Sequence, residues 1–133
     1  MVPNLRANPL DATTGAAKMT PEDKQLLLDA ARAIGHPDPR ISEGEWLETR
    51  YGLTCGIAFP NCGYWNPLED DGDCARMCIN LMIAINPQSE SVIAHFDQTA
   101  HCLAFCEDHN NDRLAAWRYA CTRVAAEIGR AKT

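Results

Sequence analysis

Seven cysteines, four histidines and eighteen carboxylates in 133 residues supply the side chains that a metal centre or an acid–base site needs. Cys74 and Cys78 are separated by three residues, as are Cys102 and Cys106, with His101 and His109 beside the second pair. Structural zinc takes four such ligands in a tetrahedron, usually from two closely spaced pairs. The spacing argues against a shared ion. On a helix, Cys74 and Cys78 fall on one stripe with Met77 and Leu81, where a free thiol packs as a small hydrophobe. On a strand, Cys102 and Cys106 stand about 13 Å apart by strand rise, too far to chelate one ion. An odd cysteine count also suits reduced thiols better than a disulfide framework. The expectation is that the thiols serve packing, with no metal ligand and no cofactor. A zinc-stabilised module or small metal-dependent enzyme built on His101, Cys102, Cys106 and His109 is the alternative.

The second chemical feature is the run Glu69-Asp70-Asp71-Gly72-Asp73. Clustered carboxylates bind Mg²⁺ or Ca²⁺, but a calcium loop starting at Asp70 requires glutamate where Leu81 stands. The run directly precedes the helical pattern Cys74, Met77, Cys78, Leu81. Carboxylates there accept from the orphan N–H groups of the first turn and complement the helix dipole, so capping is the expected role. Just upstream, Trp65-Asn66-Pro67 is a rigid turn bearing an aromatic ring, which serves either as a lid on the core or as an exposed anchor for a partner. No Gly-x-Ser-x-Gly elbow or glycine-rich phosphate loop is present, and the histidines are scattered, so no enzymatic signature supports catalysis.

The elements that must position these residues follow from periodicity. Residues 1–19 carry no apolar period and read as a mobile leader, with one domain over 20–133. Thr20, Pro21, Glu22 and Asp23 form a helix start, followed by Leu26, Leu27, Ala30, Ala31 and Ile34 at helical spacing, with Gly35 and Pro37 as the stop. Residues 36–50 read as irregular. Leu53, Cys55, Ile57 and Phe59 alternate as a half-buried strand, with a turn through Asn61-Cys62-Gly63 leading to a partner at Tyr64 and Trp65. A strand is expected near Met82 to Asn86. Ser91 to Asp97 and Ala100 to Glu107 then alternate around a Gln98-Thr99 turn, as a hairpin or meander. The last helix is the clearest, capped at Asn110 to Asp112, with Leu114, Trp117, Cys121, Val124 and Ile128 stepping by three and four.

The formal charge of −6 opposes general nucleic-acid binding. It is uneven: eight acidic residues against two arginines lie between Asp38 and Asp73, and five basic against two acidic between Asp112 and Thr133. No apolar run approaches the length of a membrane span, and the N-terminus lacks the apolar core of a secretory signal. A soluble cytoplasmic protein is expected.

The segment Tyr64-Trp-Asn-Pro-Leu-Glu-Asp-Asp-Gly-Asp-Cys-Ala-Arg-Met, together with the Arg/Ala-rich helix Ala115-Ala-Trp-Arg-Tyr-Ala-Cys-Thr-Arg-Val-Ala-Ala-Glu-Ile-Gly-Arg-Ala, resembles a group of small uncharacterised proteins of tailed phages and prophages. The resemblance covers residues 64–133 and, weakly, the helix from Thr20. It implies phage origin and no particular activity. Cys74 and Cys78 stand where that group has small or aliphatic residues, which implies a packing role for both.

The fold expected is α+β, a small antiparallel sheet of four to five strands with about three helices packed on one face. The other sheet face is left to solvent or to a partner. The function expected is that of a phage or prophage accessory protein acting by protein–protein binding in the host cytoplasm, as an anti-CRISPR-like inhibitor of a host defence or nucleic-acid-processing complex. No direct nucleic-acid or membrane contact is expected. Its contact residues are expected to be Glu43, Glu45, Glu48, Trp65, Asn66, Glu69, Asp70, Asp71 and Asp73, whose carboxylates would occupy phosphate sites of the target. A phage structural or housekeeping protein without a host target is a further alternative.

Overall fold

The structure, a computed structural model, describes residues 19–36, 38–43, 55–59 and 63–132, with backbone alone at 42–43, 55, 58–59 and 63–64. Helix α1 (Pro21–Ala33) starts where the sequence pattern places it: the Thr20 hydroxyl accepts from the Asp23 amide at 3.1 Å, and Pro21 takes the first helical position. Strands β1 (Ile41–Glu43), β2 (Cys55–Phe59) and β3 (Gly63–Trp65) form one antiparallel sheet in that order. Helix α2 (Asp71–Leu81) follows. Strands β4 (Ala84–Pro87), β5 (Ser91–Phe96) and β6 (Ala100–Phe105) then form a second antiparallel sheet. A 3₁₀ turn over Cys106–His109 leads into helix α3 (Arg113–Lys132), whose first turn is capped by Asp112 accepting from Leu114 and Ala115 at 3.0 and 3.3 Å.

The fold is α+β, and among the described residues it contains three helices, with the β4–β6 sheet packed against α3. Among the described residues the strands make two sheets of three, β1-β2-β3 and β4-β5-β6, rather than one of four or five, with α2 between them in the chain. The helices do not all lie on one sheet face either. Helix α3 is the middle layer, with the second sheet on one side and α1 on another.

The expected stripe of α3 holds at Cys121 and Val124, with Trp117 and Ile128 packed against the core, and departs at Leu114. Leu114 is 51% exposed, whereas Ala116, Ala120, Cys121, Val124 and Ala125 are fully buried. A helix flanked on several sides needs small side chains to let its neighbours approach. The closest approach is at Gly129, where an added Cβ would overlap the Asp29 carbonyl of α1. Nearby, the buried Asp29 carboxylate pairs with Arg32 of its own helix and Arg130 of α3, both at 2.9 Å. Met19, at the end of the expected leader, packs against the core; residues 1–18 lie outside the described set.

The strand expected at Met82 begins two positions later, at Ala84. Met82 instead closes α2 in the left-handed conformation, φ 60°, its N–H directed at the last carbonyls of that helix. Pro87 ends β4, an edge strand, where a missing N–H is tolerated.

Gly129→Ala is expected to destabilise the chain by on the order of 3 kcal/mol, because backbone rather than a mobile side chain occupies the space. Urea unfolding of both proteins measures it, and an unchanged midpoint would contradict this packing.

Candidate functional site

Three places bring chemically capable side chains together. The first is the turn joining β3 to α2. Asn66 is fully buried; its side-chain oxygen accepts from the Leu68 amide at 3.0 Å and its own amide donates to the Asp73 carboxylate at 2.9 Å. Asp70 caps α2 by accepting from the Asp73 amide at 2.8 Å, and Asp73 also pairs with Arg76 at 2.8 Å. Arg118 of α3 donates to the Leu68 carbonyl at 2.9 Å and pairs with Asp71 at 2.5 Å. The acidic run thus does the expected capping and also clamps the turn to α3.

Of the residues expected at a partner interface, Trp65 is only 8% exposed and closes the core beside buried Asn66. Asp70, Asp71 and Asp73 are engaged within the chain, and Glu69 is exposed. Glu43 lies on β1 with its backbone paired to Cys55, while Glu45 and Glu48 fall outside the described residues.

The basic end of the chain is likewise engaged. Arg113 donates to the Gln88 and Ser89 carbonyls, Arg118 and Arg130 hold Asp71 and Asp29, Arg123 bonds and overlies Tyr119, and Lys132 donates to the Ala33 carbonyl. The excess positive charge ties α3 to its surroundings instead of forming an open cationic patch.

The second place is a cleft of about 250 Å³ between α1, the β3–α2 turn and α3, lined by Asp23, Glu69, His109 and Tyr119 among others. The His109 and Tyr119 rings lie 4.9 Å apart. Burial raises the carboxyls of Asp23 and Glu69 above their usual range, opposed by the Thr20 hydrogen bond at Asp23 and by Arg118 at Glu69. Burial lowers His109, assisted by Arg118 and opposed by Asp108, Asp23 and Asp112.

The third place is a cluster of thiols. Cys74 and Cys78 on α2 meet Cys121 on α3 in the core, their sulfurs all within 4.8 Å of one another. Hydrogen bonding within the trio raises Cys74 and lowers Cys78. The packing stripe expected for Cys74 and Cys78 is present, but the third member was not anticipated. Its signal was the shared apolar character of the two helical stripes, which identifies no meeting point. The alternative set does not assemble. His101 sits on the outer face of β6 and Cys102 on the inner; Cys106 is buried in the following turn and His109 stacks on Tyr119.

The β4–β6 sheet has one covered and one open face. Val92, Ala94 and Ala104 point inward and are buried. By register, Ala84, His95 and His101 align across the other face, as do Asn86, Ile93 and Leu103, with Phe105 beyond them. Leu103 is 45% and Phe105 50% exposed. None of the strand residues, AINP, SVIAHF and AHCLAF, is Asp, Glu, Lys or Arg. Beside Phe105 a cleft of about 460 Å³ is rimmed by Glu90, Glu107 and Arg113.

No family model, curated protein or solved structure matches the chain. Among the described residues no helix is long and apolar enough to cross a membrane.

Two outcomes follow from the polar sites. Asp73→Ala removes the acceptor of the buried Asn66 amide and is expected to cost about 2 kcal/mol, whereas Glu69→Ala should stay within about 0.5 kcal/mol of the parent; chemical denaturation compares them. For His109 the folded pKa lies below the unfolded 6.5, so protonation favours the unfolded chain. Its contribution is complete above 6.5 and is lost as pH falls from there toward the folded value. Asp23 and Glu69, raised in the fold, act with the opposite sign in the lower carboxylate range. His109→Gln should therefore flatten the decline in melting temperature between about pH 7 and pH 5.5; an unchanged slope would refute the assignment.

Proposed function

We propose that the chain is a protein-binding accessory factor of phage type, which engages a host protein through the outer face of the β4–β6 sheet and so inhibits a defence or nucleic-acid-processing complex. The observation that carries this reading is a sheet face with exposed Leu103 and Phe105 beside half-buried Ile93 and no charged residue on its strands. A solvated sheet face ordinarily carries charge, whereas the centres of protein interfaces are depleted in it and enriched in aromatic and apolar groups. A nucleic-acid partner would require cations to neutralise phosphates. This face offers none, and the arginines of α3 are held elsewhere. The phage link rests on the resemblance of the Trp-Asn-Pro-Leu turn and the Arg/Ala helix described above.

Glu69 is exposed, and Asp71, although paired with Arg118, keeps about half of its side chain in solvent, so both carboxylates border a basic partner's approach. Their contribution would be to association rate and salt sensitivity, as expected of rim charges. The apolar face would supply the affinity.

The test is plating of defence-sensitive phages on host strains expressing the chain. Wild-type protein is expected to raise plating at least about tenfold on a host carrying the targeted defence. The double substitution Leu103→Glu and Phe105→Glu should abolish the effect while leaving the melting temperature unchanged, since both side chains are half in solvent. Undiminished protection by the double variant would refute the sheet face as the binding surface. A concentration-dependent dimer that the same double variant dissociates would show instead that the face belongs to a second copy.

A further inference from the structure

We propose that Cys74, Cys78 and Cys121 form a binding site for a single thiophilic d¹⁰ cation, cuprous copper, held by three sulfurs between α2 and α3. The three sulfurs come from two helices far apart in sequence and lie within 4.8 Å of one another. An ion with metal–sulfur distances of about 2.3 Å sits at the centre of a sulfur triangle about 4 Å on a side. Less than about 1 Å of closure by side-chain rotation therefore separates the observed cluster from coordination, a shift within the range of ordinary rotamer adjustment.

The donor set selects the ion. Thiolates favour soft cations such as Cu⁺ and Zn²⁺ over Mg²⁺ or Ca²⁺. Structural zinc completes a tetrahedron with a fourth donor, and among the described residues no further histidine, cysteine or carboxylate joins the group. Cuprous ion needs no fourth ligand. The surroundings fit as well: Cys74 and Cys121 are fully buried and Cys78 is 5% exposed, so water and oxidants are kept from the ion. Ligation releases three thiol protons to solvent and leaves a copper–trithiolate unit of net charge −2, with the oxidation state of copper unchanged.

Packing alone accounts for each cysteine singly but not for their convergence. Elsewhere along α3 the buried positions carry alanine at 116, 120, 125 and 126, threonine at 122, valine at 124 and glycine at 129, and no other cysteine. The site takes its ligands from α2 and α3 and none from the β4–β6 strands, so it stands independently of the proposed binding face.

The test uses the reduced full-length chain under anaerobic conditions, titrated with Cu⁺ alone against a competing chelator. One ion per chain is expected, with thiolate-to-metal absorption in the near ultraviolet and X-ray absorption showing three sulfurs at about 2.3 Å. Zn²⁺ alone should bind at least about tenfold more weakly, a difference of about 1.4 kcal/mol. Cys78→Ala and Cys121→Ala should each weaken Cu⁺ binding at least a hundredfold, and Cys102→Ala should leave it unchanged. The X-ray absorption measurement on wild-type protein decides the matter even if a core variant fails to fold. Absence of stoichiometric Cu⁺ binding, a two-sulfur sphere, tighter Zn²⁺ binding, or loss of binding in Cys102→Ala would each overturn the proposal.

Discussion

Close packing of α3 against several neighbours at once is the constraint from which the rest of the molecule follows. Ala116, Ala120, Cys121, Val124 and Ala125 are fully buried, and Gly129 admits the backbone of α1 to a distance that no other residue allows. Dispersion and apolar burial provide the attraction, and small side chains permit the approach. With α3 enclosed, the inner face of the second sheet finds its cover, α1 finds its partner, and α2 brings two thiols to a third. Among the described residues the outer sheet face is left partly open, with Leu103 and Phe105 about half exposed.

Among the described residues a few charged pairs tie the helices together. Asp29 bridges α1 to α3 through Arg130, and Asp71 bridges α2 to α3 through Arg118. Asp70 and Asp73 order the start of α2. Asp29 and Asp73 are mostly buried, where such bonds contribute more than in open water, whereas Arg130 and Asp71 are about half exposed and contribute less. The asymmetry of charge along the chain thus becomes a set of contacts between elements. That use of the charges leaves the uncharged sheet as the surface whose composition calls for another explanation.

Much of the architecture was legible in the amino-acid order. Thr20-Pro21 and Asp70 mark helix starts through local capping chemistry, and the alternation of Ser91 to Phe96 and Ala100 to Phe105 marks a hairpin. These signals are local, so a single sequence carries them. The partition into two sheets was not legible, because strand pairing depends on contacts across the chain. On α3 the positions of Cys121 and Val124 were legible, and Trp117 and Ile128 do pack against the core, but the buried alanines at 116, 120 and 125 were not, because an apolar pattern weights large side chains while enclosure rewards small ones. Cys121 joined Cys74 and Cys78 for the same reason, since helix crossing decides which stripes meet. The acidic run was readable as a cap, while its tie to Arg118 was not.

The account rests on the outer sheet face, and not the acidic turn, being the surface that meets a host protein. Site-specific photo-crosslinking inside host cells tests this most directly, with the reactive side chain placed at Leu103 in one protein and at Asp71 in another. A discrete covalent adduct to one host protein from position 103, with none or a far weaker one from position 71, is the predicted result. Adducts from position 71 alone would contradict the account and return the binding role to the carboxylates.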